Sequence, residues 1–225
     1  MAKLLSALPV GSVVKSTNTK YNGKVIRWIV GTQDTANGRT GLVAEKMITL
    51  KCFDAKESSN PNGSRQSYGN NRYSQSNIDQ WLNSQAASWY SARHSYDAPP
   101  NNANVWSNYN EYDTEAGFLS NFEADFRKAI LDAVIRVAKN TVTDGGGYED
   151  ITRKVFLLSN TEVGLSNENG VAEGTLWSYF SGAARRQCYP TAEAVSNSEY
   201  TNSSLNTSSY WYWWLRTPYA SGALG

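Results

Sequence analysis

Four short apolar runs open the chain: Val13-Val14, Val25 to Val30, Gly41 to Ala44 and Met47 to Leu50. They are β-rich and are separated by Asn22-Gly23 and by Thr35-Ala36-Asn37-Gly38. Asn-Gly between alternating apolar positions favours a tight hairpin turn, so residues 10–50 are predicted to form a meander. Polar loop chemistry follows, above all in Ser58 to Ser64. Ser76-Asn77-Ile78-Asp79 then reads as a helix N-cap, and Ile78, Trp81 and Leu82 share one helical face, predicting a short helix with its Trp inward. Residues 84–117 are a long polar stretch that carries Trp89, Tyr90, Tyr96, Trp106, Tyr109 and Tyr112. A loop of that length is commonly functional, or pinned down by its own aromatics.

The second half predicts its longest helix over Ser120 to Lys139. Phe122, Phe126, Ile130 and Val134 hold helical spacing, with Glu123/Arg127, Lys128/Asp132 and Asp132/Arg136 as i,i+4 pairs on the outside. Asp144-Gly145-Gly146-Gly147 is a flexible connector and lacks the following Lys-Ser/Thr of a phosphate loop. Val155 to Leu158 is predicted as a buried strand, and Ser159 with Glu162 as the cap of a short helix. A further helix is expected near Thr175 to Phe180. The chain then reaches Tyr210-Trp211-Tyr212-Trp213-Trp214-Leu215-Arg216, read as a central strand with aromatics on both faces, ended by Pro218.

Composition narrows the functional classes. With 225 residues, 40% hydrophobic and 18% charged, the chain suits one domain spanning 1–225 and is not a disordered composition. Net charge is +1, and no basic patch is interleaved with aromatics, so neither nucleic acid nor an anionic membrane is an expected partner. The N-terminal apolar run is too short for a signal peptide and no run approaches a membrane span. Cys52 and Cys188 lack any CxxC or neighbouring His and are read as reduced core thiols, with no metal site and no cofactor implied. His94, the only histidine, has no partner placed by sequence to complete a catalytic triad and is read as a surface residue. Glu111, Asp113 and Glu115 offer oxygen ligands for Ca²⁺, but their spacing is not that of an EF-hand and solvated charge is the expected reading.

Several strings together carry a resemblance: Ile26-Arg27-Trp28, Ile78 to Asn83, Lys154 to Ser159 with Glu162-Val163-Gly164, and Trp213 to Tyr219. In this order they resemble a bacterial and prophage domain-of-unknown-function family whose members are often encoded among phage tail genes. That family is similar to the C-type-lectin-like fold of phage receptor-binding proteins. The resemblance implies an α+β, C-type-lectin-like domain, with a twisted mixed sheet, two main helices and long irregular loops. It also implies a non-catalytic, virion-associated protein, made in the bacterial cytoplasm without a signal peptide and placed on the tail or particle surface. Its partners would be other virion proteins, a second copy of itself, or a host-surface glycan or protein. Trp89, Tyr96, Trp106, Tyr109, Tyr112, Tyr212 and Tyr219 are the candidate contact residues.

The triplets of calcium-dependent lectins are absent. The family continues past its Trp-Leu-Arg-Thr-Pro segment with further strands, so the domain is expected to be incomplete at Gly225 or completed by a neighbouring subunit's strand. A structural virion role that binds only other subunits is the rival expectation. A formylglycine-generating type of enzyme, which needs reactive thiols close together, is a more distant one.

Overall fold

The computed structural model describes residues 4–222. Its first sheet is the predicted meander: β1 (Val13–Tyr21), β2 (Lys24–Asp34) and β3 (Arg39–Ala44), antiparallel in the order β1-β2-β3. Asn22 and Gly23 take φ of 47° and 77° at the first turn, the left-handed pair that a two-residue hairpin requires. The register of β2 against β3 slips between Val30 and Thr32, leaving Gly31 at a bulge. The indole of Trp177 lies over this point, and a Cβ on Gly31 would sit 2.5 Å from its Cε3. Met47 to Leu50 is not a strand; Met47 makes only an isolated parallel bridge to Pro190.

The second sheet corrects the predicted long helix. Helical residues in that stretch are a 3-10 turn at Phe118–Asn121 and a short α-helix at Ala124–Ala129; Ala133–Ala138 is a strand (β4) paired antiparallel with Tyr148–Arg153 (β5). Ala133-Val134-Ile135-Arg136-Val137 is rich in β-branched side chains, which are stiff in a helix and favoured on a pleat. The pattern follows the strand period: Ile135 and Val137 are buried, while Val134, placed on the helical stripe by sequence, is 72% exposed. Of the expected i,i+4 pairs, Arg136 instead bonds Asp150 across the ladder and Asp132 meets Lys154. The short α-helix starts later than the expected Ser120, with Glu123 as an N-cap that makes no side-chain bond. The β4–β5 connection contains Gly145, Gly146 and Gly147, all at positive φ near 70°, a path closed to most side chains.

The sheets are therefore small and antiparallel, not one twisted mixed sheet, and the helices are short: α1 (Gly63–Tyr68), α2 (Asn77–Leu82), α3 (the Ala124–Ala129 helix) and α4 (Ala192–Ser196), besides 3-10 turns. Among the described residues no helix is long and apolar enough to cross a membrane. The helix at α2 forms as predicted, with the Ser76 hydroxyl accepting from the Asp79 N–H and Trp81 only 2% exposed. The main core joins Tyr21 and Ile26 of the meander to Ile78, Trp81, Phe118, Phe122, Ile135 and Val137. A second cluster forms around Leu158, Val163 and Phe180.

Val155 to Leu158 is not a strand, although Leu158 is buried. Ser159 and Glu162 exchange the expected capping bonds, but on a turn that goes no further. Between Thr175 and Phe180 the structure has the start of a 3-10 turn at Ser178–Ser181.

The aromatic end also differs from expectation. Residues 210–216 form no strand; Trp211 makes one isolated antiparallel bridge, to Cys188. Trp211, Trp213 and Leu215 are half-buried, Tyr210 and Tyr212 are exposed, and Trp214 packs its ring against Phe53 (5.7 Å) while its indole N–H donates to the Lys51 carbonyl (2.8 Å). Arg216 anchors the segment instead. Fully buried, it sends its five N–H bonds to Glu162 Oε2 (2.6 Å) and Oε1 (3.0 Å) and to the carbonyls of Arg136, Leu157 and Glu173.

Candidate functional site

Two of the seven aromatics singled out by sequence belong to the core. Trp89 and Tyr112 are 5% and 0% exposed and stack with ring centroids 5.4 Å apart. The Trp89 indole N–H donates to the Tyr112 carbonyl (3.2 Å), and the Tyr112 hydroxyl donates to the Cys52 carbonyl (3.1 Å). These two pin the 84–117 loop to its own domain and are corrected from contact residues to anchors.

The anchored loop carries an unusual tip. Ser107, Asn108 and Asn110 take φ of 53°, 62° and 58°, a region that Asn tolerates and Ser adopts at a cost of about 1–2 kcal/mol. Side-chain amides hold the shape. Asn102 and Asn108 each donate to the other's backbone carbonyl (3.0 and 2.8 Å). Asn110 and Glu199 exchange backbone-to-side-chain bonds of 2.7 and 2.9 Å, tying the loop to the segment after α4.

That tie brings remote aromatics together. Tyr200 contacts Trp106 (6.2 Å between centroids), Tyr109 (6.0 Å) and Trp211 (6.3 Å), and Trp211 contacts Tyr212 (5.5 Å). The result is a continuous aromatic patch in which Trp106 is 51% and Tyr212 86% exposed. Tyr200 and Trp211 complete it; the sequence put Trp211 on the expected central strand rather than among the contact residues and gave Tyr200 no role, because the Asn110 to Glu199 tie joins residues far apart in the chain. Tyr96 and Tyr219 are exposed elsewhere. Tyr96 lines a cleft of about 370 Å³, and the Tyr219 carbonyl is gripped by Asn71 and Asn140; among the described residues neither makes a ring contact with the patch.

Glu115 bonds Lys51 and accepts from the Tyr21 hydroxyl (3.1 Å); burial, with the Glu115 charge beside it, pushes the phenol's pKa up. Glu111 lines the same cleft as Glu115, Lys51 and Tyr21, of about 280 Å³. With Asp113 they form no three-ligand cluster among the described residues.

His94 is not the isolated surface residue expected from sequence. Its side chain is 15% exposed and its Nε2 lies 3.4 Å from Glu57 Oε1. Asp54 joins them, one ligand atom from each residue falling within 4.8 Å of the others. Each Asp54 oxygen accepts a backbone N–H, from Asn70 (2.7 Å) and Asn77 (2.8 Å). Burial drives the Asp54 carboxyl well above its usual pKa despite those two bonds, with Asp97 and Glu57 adding repulsion. Burial also raises Glu57, against the lowering effect of the Asn60 amide and His94. The only sequence trace of this cluster is Asp54-x-x-Glu57, which has no specificity without the fold.

The thiols are unactivated. Burial, with Asp54 nearby, pushes Cys52 up to about 12, and burial also raises Cys188. Both cysteines are free.

Compared with known proteins, residues 37–224 match the model of a family described as a domain of unknown function, DUF6273. No curated protein and no solved structure matches the chain.

Proposed function

Because the chain belongs to the DUF6273 family of domains of unknown function, its function has to be argued from its surface, and we propose that it is a non-catalytic attachment module. In this reading it has a C-type-lectin-like topology, sits on the tail or surface of a phage particle, and engages a host-surface glycan. The phage setting is supported by the sequence resemblance. Small antiparallel sheets with long, internally anchored loops are compatible with the lectin-like arrangement.

The observation that carries the reading is the patch of Trp106, Tyr109, Tyr200, Trp211 and Tyr212. Large exposed aromatics on an ordered loop offer contact area at low entropic cost, and the tyrosine hydroxyls at their edges can hydrogen-bond. Both features suit a sugar ring, which presents an apolar face and a rim of hydroxyls. The left-handed residues at 107, 108 and 110 support the same reading, since strained backbone is retained where it displays a functional group. The formylglycine-generating alternative finds no support in thiols whose pKa values are raised by burial.

Glycan-array binding of the full chain tests the proposal. Trp106→Ala and Tyr212→Ala are each expected to weaken retention by about 2 kcal/mol, roughly 30-fold, as hot-spot aromatics do. Their melting temperatures should stay near that of the parent. Absence of glycan binding, or variants that bind as the parent does, would sink the glycan reading; loss of co-purification with virion subunits in its place would assign the patch to structural assembly.

A further inference from the structure

We infer that Asp54, Glu57 and His94 form a binding site for a divalent transition-metal ion of the Zn²⁺ or Mn²⁺ class. The three come from two segments that the fold brings together: the loop after β3 supplies the carboxylates and the long loop supplies the imidazole. One ligand atom from each lies within 4.8 Å of the other two.

Two buried polar atoms aimed into the site make no hydrogen bond. Glu57 is 1% exposed, yet its Oε1 makes no hydrogen bond, and neither does the buried Nε2 of His94 opposite it. A buried carboxylate oxygen without a donor is costly and calls for an explanation. The two atoms face each other at 3.4 Å, within ion-pair distance but without a hydrogen bond. Ligands about 2.0–2.2 Å from a tetrahedral Zn²⁺ stand about 3.3–3.6 Å apart by simple geometry, so the pair already has a spacing compatible with two ligands on one ion.

The surrounding groups are arranged as supports for such ligands. The Asn60 side-chain amide holds the other Glu57 oxygen, and the Asn70 and Asn77 N–H groups orient both Asp54 oxygens while leaving each a lone pair. Glu57 and His94 line the cleft of about 370 Å³, together with Asn60, Arg65 and Tyr96. A fourth coordination position would therefore open to solvent or to an oxygen ligand. The imidazole nitrogen selects the metal class, because Ca²⁺ and Mg²⁺ prefer all-oxygen sites.

His94 is the only histidine, so its imidazole resonances are a direct probe in tag-free, chelator-treated protein. Zn²⁺ added to one equivalent should shift that single set of signals and raise the melting temperature. His94→Gln and Glu57→Gln should each weaken Zn²⁺ binding, measured calorimetrically, by at least about ten-fold, while Glu111→Gln, in the other cleft, should not. Imidazole signals unmoved by equimolar Zn²⁺ and Mn²⁺ would overturn the assignment, as would folded His94→Gln protein that binds Zn²⁺ as the parent does. The resonance measurement needs no variant and stands even if a substitution impairs folding.

Discussion

Glu149 shows how one side chain on β5 is made to hold a loop. Arg72 donates to its two oxygens at 2.9 and 2.8 Å, and the Ser74 hydroxyl adds a third bond. Burial alone would raise the Glu149 carboxyl, but these bonds outweigh it and hold its pKa below the ordinary value of 4.5. A depressed carboxyl stabilises the folded state fully above the unfolded pKa and loses that contribution as pH falls through the folded one. Both partners are about a quarter exposed, so solvent screening reduces the worth of the pair. Glu149→Gln is therefore expected to cost about 1 kcal/mol at pH 7, and urea melts of parent and variant should converge on acidification below the ordinary carboxyl range. A gap that stays constant with falling pH would assign the loss to packing rather than to charge.

At the level of elements, the sequence was readable where structure is local. The β1–β2 turn is written in two adjacent residues and α2 in a four-residue cap with its apolar face, and both form where expected. Strand β4 was not readable because Phe122, Phe126, Ile130 and Val134 satisfy a helical period, while the competing signal depends on pairing with β5 across a glycine loop. The two readings bury different residues, which gives a direct check. Val134→Asp should change stability by no more than about 0.5 kcal/mol, as an exposed position on a strand. Ile135→Ala, 5% exposed, should cost about 2–5 kcal/mol in denaturant unfolding. A helix through this stretch would show the large loss at Val134. The candidate sites follow the same rule: the aromatic loop was visible as composition, whereas the Tyr200 and Trp211 contacts and the Asp54, Glu57 and His94 cluster exist only through long-range closure.

Across the whole molecule, the final segment is held by a buried polar knot rather than by a ladder. Arg216 reaches the Arg136 carbonyl on β4, the Leu157 carbonyl beside the second core cluster, Glu162 on the following turn and the Glu173 carbonyl, so one guanidinium joins four stretches of chain. Glu173 extends the knot, accepting from the Ala138 N–H (2.8 Å) and from Thr217. The sequence-level resemblance at Trp213 to Tyr219 thus contains a structural keystone alongside its outward-facing aromatics. Five donors in a planar fork meet five acceptors, a match that lysine, with three donors on one nitrogen, cannot reproduce. Arg216→Lys is expected to cost about 3–5 kcal/mol, because Glu162 and three carbonyls lose partners without regaining water. Replacing both ions, as Arg216→Met with Glu162→Leu, should be less damaging than either single change, since no buried charge is then left unpaired. Chemical denaturation with amide exchange at residues 210–217 reads the outcome. Arg216→Lys melting within about 0.5 kcal/mol of the parent would show that the aromatic segment is held by its tryptophans and not by this knot.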